Sequence, residues 1–478
     1  FFYIIRIKID NILKIMYNVC IKIREKRGKQ MKIWDILTII TVKIASVMLK
    51  LLGKKAGNYP GIIALKMNKN ILERLKINCP VIAVTGTNGK TTTNNFINFL
   101  FETDGKRVVS NKDGNNMTTG ILTTLIQNST LTGKVKADYI TLEVDEHYVP
   151  IVFSKIKLDT LVVLDFFRDQ LDRAGEMETL IQKITKFLSS FAGNVILNND
   201  DPNVSRLGLA NKENKNIYYY SVDKYKNATE KLCEAGEGKF CPICKERIVY
   251  EYYQYSHIGK FECKNCGYGK NELYVKIKDV DLDTRTFTEN NISYEVKHNS
   301  IYYIYNSAAV ISIGKLYNIK TENIVKAIKN FDLGNGRLEH IDINNSPCEL
   351  NLGKNPTGIN VLIRLLNEDE EPKELMVVLN DNEPDGRDVS WIWDINFESL
   401  KNVKRVVVSG TRPYDMAIRI KYSGFDESNI EVYEKIEDAI ESLFKNQGKK
   451  YIITNYTAVQ ETRNKLLEFK KHREGSNV

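Results

Sequence analysis

Nowhere does the 478-residue chain offer the roughly 20 consecutive uncharged apolar residues of a membrane-spanning helix. Nor does it open on a secretory leader. Residues 1–30 mix Ile, Tyr and Phe with regularly interspersed Lys and Arg, and no small-residue cleavage site follows. Without a leader, the eight cysteines argue against a disulfide framework and for reduced thiols in a cytoplasmic protein. No G-x-G-x-x-G follows the first strand of the C-terminal part, which excludes a dinucleotide site there. Beyond one cysteine-rich segment there is no nucleic-acid motif and no basic face. No cysteine sits in a nucleophile elbow with a histidine to pair with it, so the chain carries no glutaminase of its own.

What is present is ordinary in bulk. Charged residues at 27% and apolar residues at 42% suit a soluble globular protein with length for two or three domains. The net charge of +9 reads as a diffuse lysine excess, with an anionic partner or membrane surface as the alternative. The chain begins with Phe1, and Met31 is a candidate start, which would make residues 1–30 translated upstream sequence. From Met31 to Lys55, Ile36, Ile39, Ile40, Ile44, Val47, Met48 and Leu51 recur at spacings of three and four. That is an amphipathic helix expected to pack on its own domain. A Gly/Pro turn (Gly57, Pro60, Gly61) and a short helix around Ile71–Leu75 follow.

The informative stretch is VIAVTGTNGKTTTNNFINFLFETDGKRVVS, residues 81–110. Val81, Ile82, Ala83 and Val84 read as a buried parallel strand. Gly86, Thr87, Asn88, Gly89, Lys90, Thr91 and Thr92 then form a loop whose N–H groups can face one concavity and cradle a polyphosphate. Lys90 would reach the β- and γ-phosphates and the Thr91 hydroxyl would ligate Mg²⁺. Phe96, Ile97, Phe99 and Leu100 recur at helical spacing, Gly105 stops the helix, and Val108 and Val109 start another strand. The usual pattern has a further glycine six residues before the lysine; here that residue is Val84.

A second signal is Cys241-Pro-Ile-Cys244, eighteen intervening residues, and Cys263-Lys-Asn-Cys266-Gly267. Paired C-x-x-C knuckles at this separation are the pattern of a four-thiolate zinc ribbon, a closed and therefore structural site. Tyr250, Tyr252, Tyr253 and Tyr255 between the knuckles suggest a small sheet, while Cys233 lies outside the pair geometry.

GTNGKTTT after an apolar strand resembles the loop of the Mur ligase superfamily, which activates a carboxylate as an acyl phosphate for attack by an amine. That resemblance implies ATP on Gly86–Thr92, with Lys90 and Glu143 catalytic and Mg²⁺ on Thr91 and Glu143. It places adenine against Asn306, within residues 301–317 that read as a strand entering an Ala-rich helix, and a nucleotide-contacting arginine, Arg337, at a domain hinge. Asn116 and Met117 resemble a substrate or nucleotide loop, and Asn198, Asp200 and Asp201 a turn of the same superfamily; Glu146 is a weaker candidate and His147 reads as a surface histidine. Where the superfamily has an Asp-His pair for a second metal, this chain has Asp169 and Gln170. Only 80 residues precede the strand that begins at Val81, and the usual nucleotide-sugar-binding domain is not expected among them.

The glutamine, the ribbon, and the stretches GKNPTGIN, LNDNEPDGRDVSWIWD, SGTRPYDMAIRIK and TNYTAVQ resemble one branch, the MurT family. The fold expected is α/β. An N-terminal helical segment (31–78) leads to a Mur-type P-loop domain (79–330) with a zinc ribbon inserted at about 228–275. A Rossmann-like doubly wound domain (331–478) follows. The function implied is an ATP-dependent ligase subunit acting at the inner face of the cell membrane. With a GatD-type glutamine amidotransferase supplying ammonia, it would amidate the α-carboxyl of D-glutamate in lipid II. Asp385, Asp388 and Asp394 are candidates for completing the partner's glutaminase site, and Asp388, between Arg387 and the pair Trp391 and Trp393, is the one chosen. The alternatives are a stand-alone Mur or folylpolyglutamate-type amino-acid ligase and a zinc-ribbon ATPase that binds nucleic acid.

Overall fold

A computed structural model of the chain describes residues 31–53, 56–167, 177–231, 237–332 and 338–475. The strand β1 (Val81–Thr85) is buried at every position and is the third strand from one edge of a nine-stranded sheet. Along the chain follow β2 (Val108–Ser110), β3 (Tyr139–Glu143), β4 (Thr160–Val163), β5 (Asn194–Asn198) and β6 (Ile217–Val222). A separate hairpin, β7 (Val249–Tyr255) and β8 (Ile258–Glu262), precedes β9 (Leu273–Asp281), β10 (Thr286–Glu289) and β11 (Ile292–Glu295). The order is β11-β10-β9-β6-β5-β4-β1-β3-β2, parallel from β2 through β9 and antiparallel beyond.

Alternate residues of β1 feed two cores, as the period of a strand requires. Ile82 and Val84 join Phe96, Leu100 and Ala308 on one face, while Val81 and Ala83 join Ile39, Ile121 and Ile184 on the other. Three expectations are corrected here. Residues 301–317 contain no entering strand; Ile301–Leu316 is helical throughout, and every side chain from Tyr303 to Gly314 is buried. A helix covered on all sides has no apolar period to read. Pro60 and Gly61 are not a turn but the start of the helix Tyr59–Met67. Proline is at home there because a first-turn N–H has no helical partner to lose. The inward face of the helix Met31–Leu51 is Thr38, Ile39, Thr41, Val42, Ala45 and Ser46, whereas Ile44, Val47, Met48 and Leu51 stay exposed. Thr38, Thr41 and Ser46 return their hydroxyls to the carbonyls of Trp34, Leu37 and Val42, so small polar residues can be buried without orphaned donors.

The C-terminal part alternates strands and helices into a second sheet, order β12-β13-β17-β14-β15-β16, with apolar clusters on both faces. Its strands are β12 (Glu339–Ile343), β13 (Ser346–Leu352), β14 (Lys373–Val378), β15 (Val403–Ser409), β16 (Ile430–Val432) and β17 (Lys449–Thr454). Strands and helices alternate from Cys348 onward, as expected of a doubly wound domain; β12 is an addition. It pairs antiparallel with β13 through Asn344 and Asn345, at φ 49° and 61°, the left-handed pair that a tight two-residue hairpin needs.

Gly61 offers a sharp test of this packing. A Cβ there would lie 1.9 Å from the backbone oxygen of Thr119. Helix propensity alone favours Gly61→Ala by about 1 kcal/mol. Overpacking against backbone costs about 1–3 kcal/mol, so the sign should reverse. A urea unfolding midpoint below wild type is expected; a midpoint at or above it would show that the two helices can separate freely.

Candidate functional site

The loop after β1 is strapped to the end of β4. Thr87 N donates to Asp165 O at 2.9 Å and Asn88 N to the Asp165 carboxylate at 2.7 Å; Phe167 N donates to Thr87 Oγ1 at 3.0 Å. The approach is so close that a Cβ on Gly86, at φ 134°, would stand 3.0 Å from Asp165 N. A Cβ on Gly89, at φ 77°, would stand 2.8 Å from the Asn306 side-chain oxygen. Val84 sits inside the buried strand, so the loop needs its glycines at 86 and 89 and not six residues before the lysine. Burial pushes the Asp165 carboxyl up to about 8, against the pull of the Asn88 N–H, with the neighbouring Asp201 adding to the rise.

Lys90 opens the following helix and is buried. In this structure its ammonium folds back onto the loop, donating to Gly86 O and Thr87 O, and forms a 3.0 Å ion pair with Glu146. Burial opposes the charge, but Glu146, then Asp145 and Glu143, outweigh it and hold the pKa above the usual lysine range. Glu146, read as the weaker candidate, is thus a direct partner of the lysine.

Glu143 ends β3 and is buried. Its Oε1 accepts from Asn116 Nδ2 at 3.0 Å, while Oε2 is buried with no partner. A Cβ on Gly114 would come within 3.4 Å of that oxygen and 3.5 Å of Thr91 Oγ1, so both oxygens face one hollow. An orphaned carboxylate oxygen beside a hydroxyl at a phosphate loop suits a hard divalent cation. Asn111 holds the 110–117 loop in place, donating to Glu143 O at 2.8 Å and accepting from Glu143 N at 2.9 Å.

These groups line one cleft of about 1710 Å³ between the two sheets. Thr87–Thr92, Asp113–Met117, Glu143, Glu146 and Asn306 form one wall. Lys354, Gly358, Glu383, Pro384 and Tyr456 form the other, from three of the four polar stretches singled out after strands. Loops at these strand ends are where open α/β sheets bind ligands. The fourth stretch instead packs on the wall, Thr411 Oγ1 donating to Asp381 at 2.7 Å and Arg412 pairing with the same carboxylate at 3.4 Å. Asn355 Nδ2 crosses the cleft to Asn88 Oδ1 at 3.0 Å. His147, read as a surface residue, lines the cleft with its Nε2 buried. Asp200 and Asp201 are internal: Asp200 accepts from Ser221, Val222 N and Tyr305, and Asp201 caps the turn Pro202–Ser205. Arg337, Asp169, Gln170 and Cys233 lie outside the described residues.

Of the three candidate acids in the C-terminal part, Asp385 is buried and accepts from Thr457 N at 2.8 Å. Asp388 is exposed and accepts from Ser390 N at 2.8 Å and Ser390 Oγ at 3.0 Å, just ahead of the short turn Ser390–Asp394. The Ser390 N–H, then its hydroxyl, holds the Asp388 carboxyl below the usual range. Asp394 is also exposed. Beyond the cleft, the sulfurs of Cys241, Cys244, Cys263 and Cys266 all lie within 4.8 Å of one another, at the base of the β7–β8 hairpin. The tyrosines of β7 are turned to packing, with Tyr250 stacked on Tyr253 at 4.2 Å and Tyr255 buried against Tyr302 and Tyr305.

Sequence motifs of known families fall on the same segments. Residues 84–314 match the Mur ligase middle domain and residues 352–459 the MurT ligase C-terminal domain. Subunit MurT of lipid II isoglutaminyl synthase (glutamine-hydrolyzing) from Staphylococcus aureus strain COL is 30% identical over 421 residues, which is 87% of this chain and 94% of that protein. Its namesake from Streptococcus pneumoniae strain R6 is 31% identical over 440 residues, 90% of this chain and 96% of that protein. Among solved structures, a pseudomurein peptide ligase type C from Methanothermus fervidus superposes with a TM-score of 0.64 at 18% identity, over 84% of this chain and 81% of its own. MurF from Acinetobacter baumannii gives 0.59 at 15%, over 86% and 81%. These two share the fold.

Asp165 yields a pH test. Unfolded, its carboxyl titrates near 3.8; folded, it holds its proton to about 8. Across that window the folded state binds more protons, so this group's contribution to stability falls as pH rises. Asp165→Asn keeps an acceptor for Asn88 N and removes the titration. Denaturant unfolding should show the variant gaining on wild type between pH 4 and pH 8, by on the order of 2 kcal/mol or more. Parallel pH profiles would mean that Asp165 is ionised in the folded chain.

Proposed function

The chain belongs to the MurT family, and on that premise we propose that it is the ligase subunit of a lipid II isoglutaminyl synthase. In this reading it uses ATP to amidate the α-carboxyl of D-glutamate in the lipid II stem peptide. Residues 79–330 serve as the ATP-binding domain and 331–478 as the domain that faces the amidotransferase. The observation that carries the reading is the unpartnered Glu143 Oε2 beside Thr91 Oγ1, next to a buried lysine in a cleft between two sheets.

Thr91 and Glu143 would hold Mg²⁺, which supplies positive charge to phosphate oxygens when bound. Backbone N–H groups of the Gly86–Thr92 loop would orient the polyphosphate, and Asn306, which lines the cleft beside Gly89, would meet the nucleotide base. Lys90 exchanges its bonds to Gly86 O and Glu146 for phosphate oxygens, matching charge as the γ-phosphoryl leaves ADP and bonds to the substrate carboxylate. Ammonia then attacks the acyl carbon, the C–O bond to phosphate breaks, and the amide remains. The walls of the cleft exclude water that would otherwise hydrolyse the acyl phosphate.

The ammonia comes from a GatD-type glutamine amidotransferase. Tyr414, Ile418 and Tyr422 recur every four residues on the helix Pro413–Tyr422 and are exposed, and Trp393 packs edge-on to Tyr422 at 5.9 Å. Clustered exposed aromatics favour a protein partner. Asp388 lies on the same segment as Trp393, where its carboxylate would orient the partner's histidine. Among the described residues no helix is long and apolar enough to cross a membrane, so lipid II would be met at the inner membrane surface.

The test is amidation of lipid II by the chain purified with its amidotransferase, read by mass spectrometry as OH replaced by NH₂. ATP and glutamine should both be required. Lys90→Ala should lose at least about a hundredfold in rate with glutamine or free ammonia. Asp388→Asn should fail with glutamine only, keeping assembly and ammonia-driven turnover. Addition of an amino acid to the substrate would overturn the reading, and an Asp388→Asn complex fully active with glutamine would remove Asp388 from the glutaminase site.

The ribbon cysteines would hold zinc. Sulfur separations of 3.4 Å (Cys244 to Cys263) and 3.5 Å (Cys241 to Cys266) sit near the ~3.8 Å edges of a tetrahedron built on ~2.3 Å Zn–S bonds. Metal analysis should find one zinc per chain in the wild type and loss of it in Cys263→Ser; full occupancy in that variant would refute the assignment.

A further inference from the structure

The cleft makes no use of the outer side of the helix Met31–Leu51. Ile33, Leu37, Ile40, Ile44, Val47 and Leu51 follow one another at spacings of three and four, which draws one continuous stripe along a helix. Ile33 is 50%, Ile44 48%, Val47 56% and Leu51 82% exposed, with Leu37 and Ile40 half-buried between the two ends of the row. Single exposed aliphatics are ordinary, but an aligned row the length of a helix is not.

The charge of the chain is concentrated in the same region, contrary to its diffuse reading. Residues 1–55 contain thirteen Lys and Arg against three Asp and Glu, so the remainder of the chain is slightly acidic as a whole. Lys50 is exposed in the last turn, and Lys54 and Lys55 follow in sequence. Asp35, the one acid between residues 31 and 55, accepts from Asn68 Nδ2 at 2.6 Å. Trp34 is committed to the fold, donating from Nε1 to Met67 O at 2.9 Å. The stripe is therefore aliphatic, flanked by lysine, and without the aromatic or arginine anchors on which protein interfaces concentrate their energy. Burial of aliphatics beside lysines that meet anionic headgroups is what a bilayer surface rewards.

We infer that Met31–Leu51 is an in-plane membrane anchor, lying along an anionic bilayer with the Ile33-to-Leu51 stripe inserted. Its inner neighbours lead straight to the cleft. Lys43 Nζ donates at 3.0 Å to Gln127 O, the end of the helix Thr118–Gln127 that starts at the Asn116–Met117 loop. Asn58, a cleft residue, accepts from Thr119 Oγ1 at 3.1 Å on that same helix. An anchored helix holds the cleft beside the headgroups, where a lipid-linked substrate presents its polar end. This last step rests on the function proposed above; the membrane contact does not.

Co-sedimentation of the full chain with phosphatidylcholine vesicles, with and without phosphatidylglycerol, tests it. Binding to the anionic vesicles is expected, weakened by salt and by Lys50→Glu. The double variant Ile44→Ser, Leu51→Ser should partition on the order of tenfold less or weaker, with unchanged thermal unfolding because both side chains are exposed. A wild-type chain left in solution with anionic vesicles at low salt overturns the anchor, as does a double variant that binds like wild type. Loss of self-association instead of vesicle binding in the variant also overturns it, making the stripe a contact between copies. Lipid II amidation by the same preparations, supplied with ATP and either the amidotransferase with glutamine or free ammonia, separates the two claims. Vesicle binding without amidation sinks the function and leaves the anchor; amidation without vesicle binding sinks the anchor alone.

Discussion

An ammonium closed off from water has to be matched by negative charge within a few ångströms. Lys90 meets that demand through Glu146 at 3.0 Å, with Asp145 and Glu143 behind it. The acids come from the turn after β3, and the lysine from the turn after β1. They meet because the two strands are parallel neighbours in register, Val84 beside Glu143. β4, on the other side of β1, brings Asp165 under the loop. The adjacency of β1 and β3 is thus a condition of the site: with another strand between them the lysine would be buried without its acids.

How much of this was legible beforehand followed the range of the interactions. The loop from Gly86 to Thr92 and the Cys241–Cys266 ribbon are local, chemically specific patterns, and their spacing alone points to phosphate and to metal. The alternation of strand and helix after Cys348 is likewise written in short apolar runs. Asp165 and Asn355 were not singled out, because nothing beside them in the chain hints at partners 77 and 267 residues away. Periodicity failed in two opposite ways. The helix Ile301–Leu316 is buried on every side and shows no stripe. The helix Met31–Leu51 shows a clear stripe, but the fold takes its small Thr, Ser and Ala face and leaves much of the stripe outside.

The helix Pro356–Glu368 touches the other domain at both ends. Asn355, its cap, is bonded to the phosphate loop through Asn88. Farther along, Arg364 donates to Gln254 O on β7 at 3.2 Å and Glu368 accepts from Asn227 at 2.6 Å, while Val361 enters the core of the large sheet. It is a strut between the Gly86–Thr92 loop and the β7–β8 hairpin. Widening the cleft breaks three polar links worth roughly 1 kcal/mol each. Together they favour the closed arrangement on the order of a hundredfold, and a ligand touching both walls would add to that preference. The cleft is thus held to one width by contacts at its two ends, and the strut gives that arrangement one defined geometry.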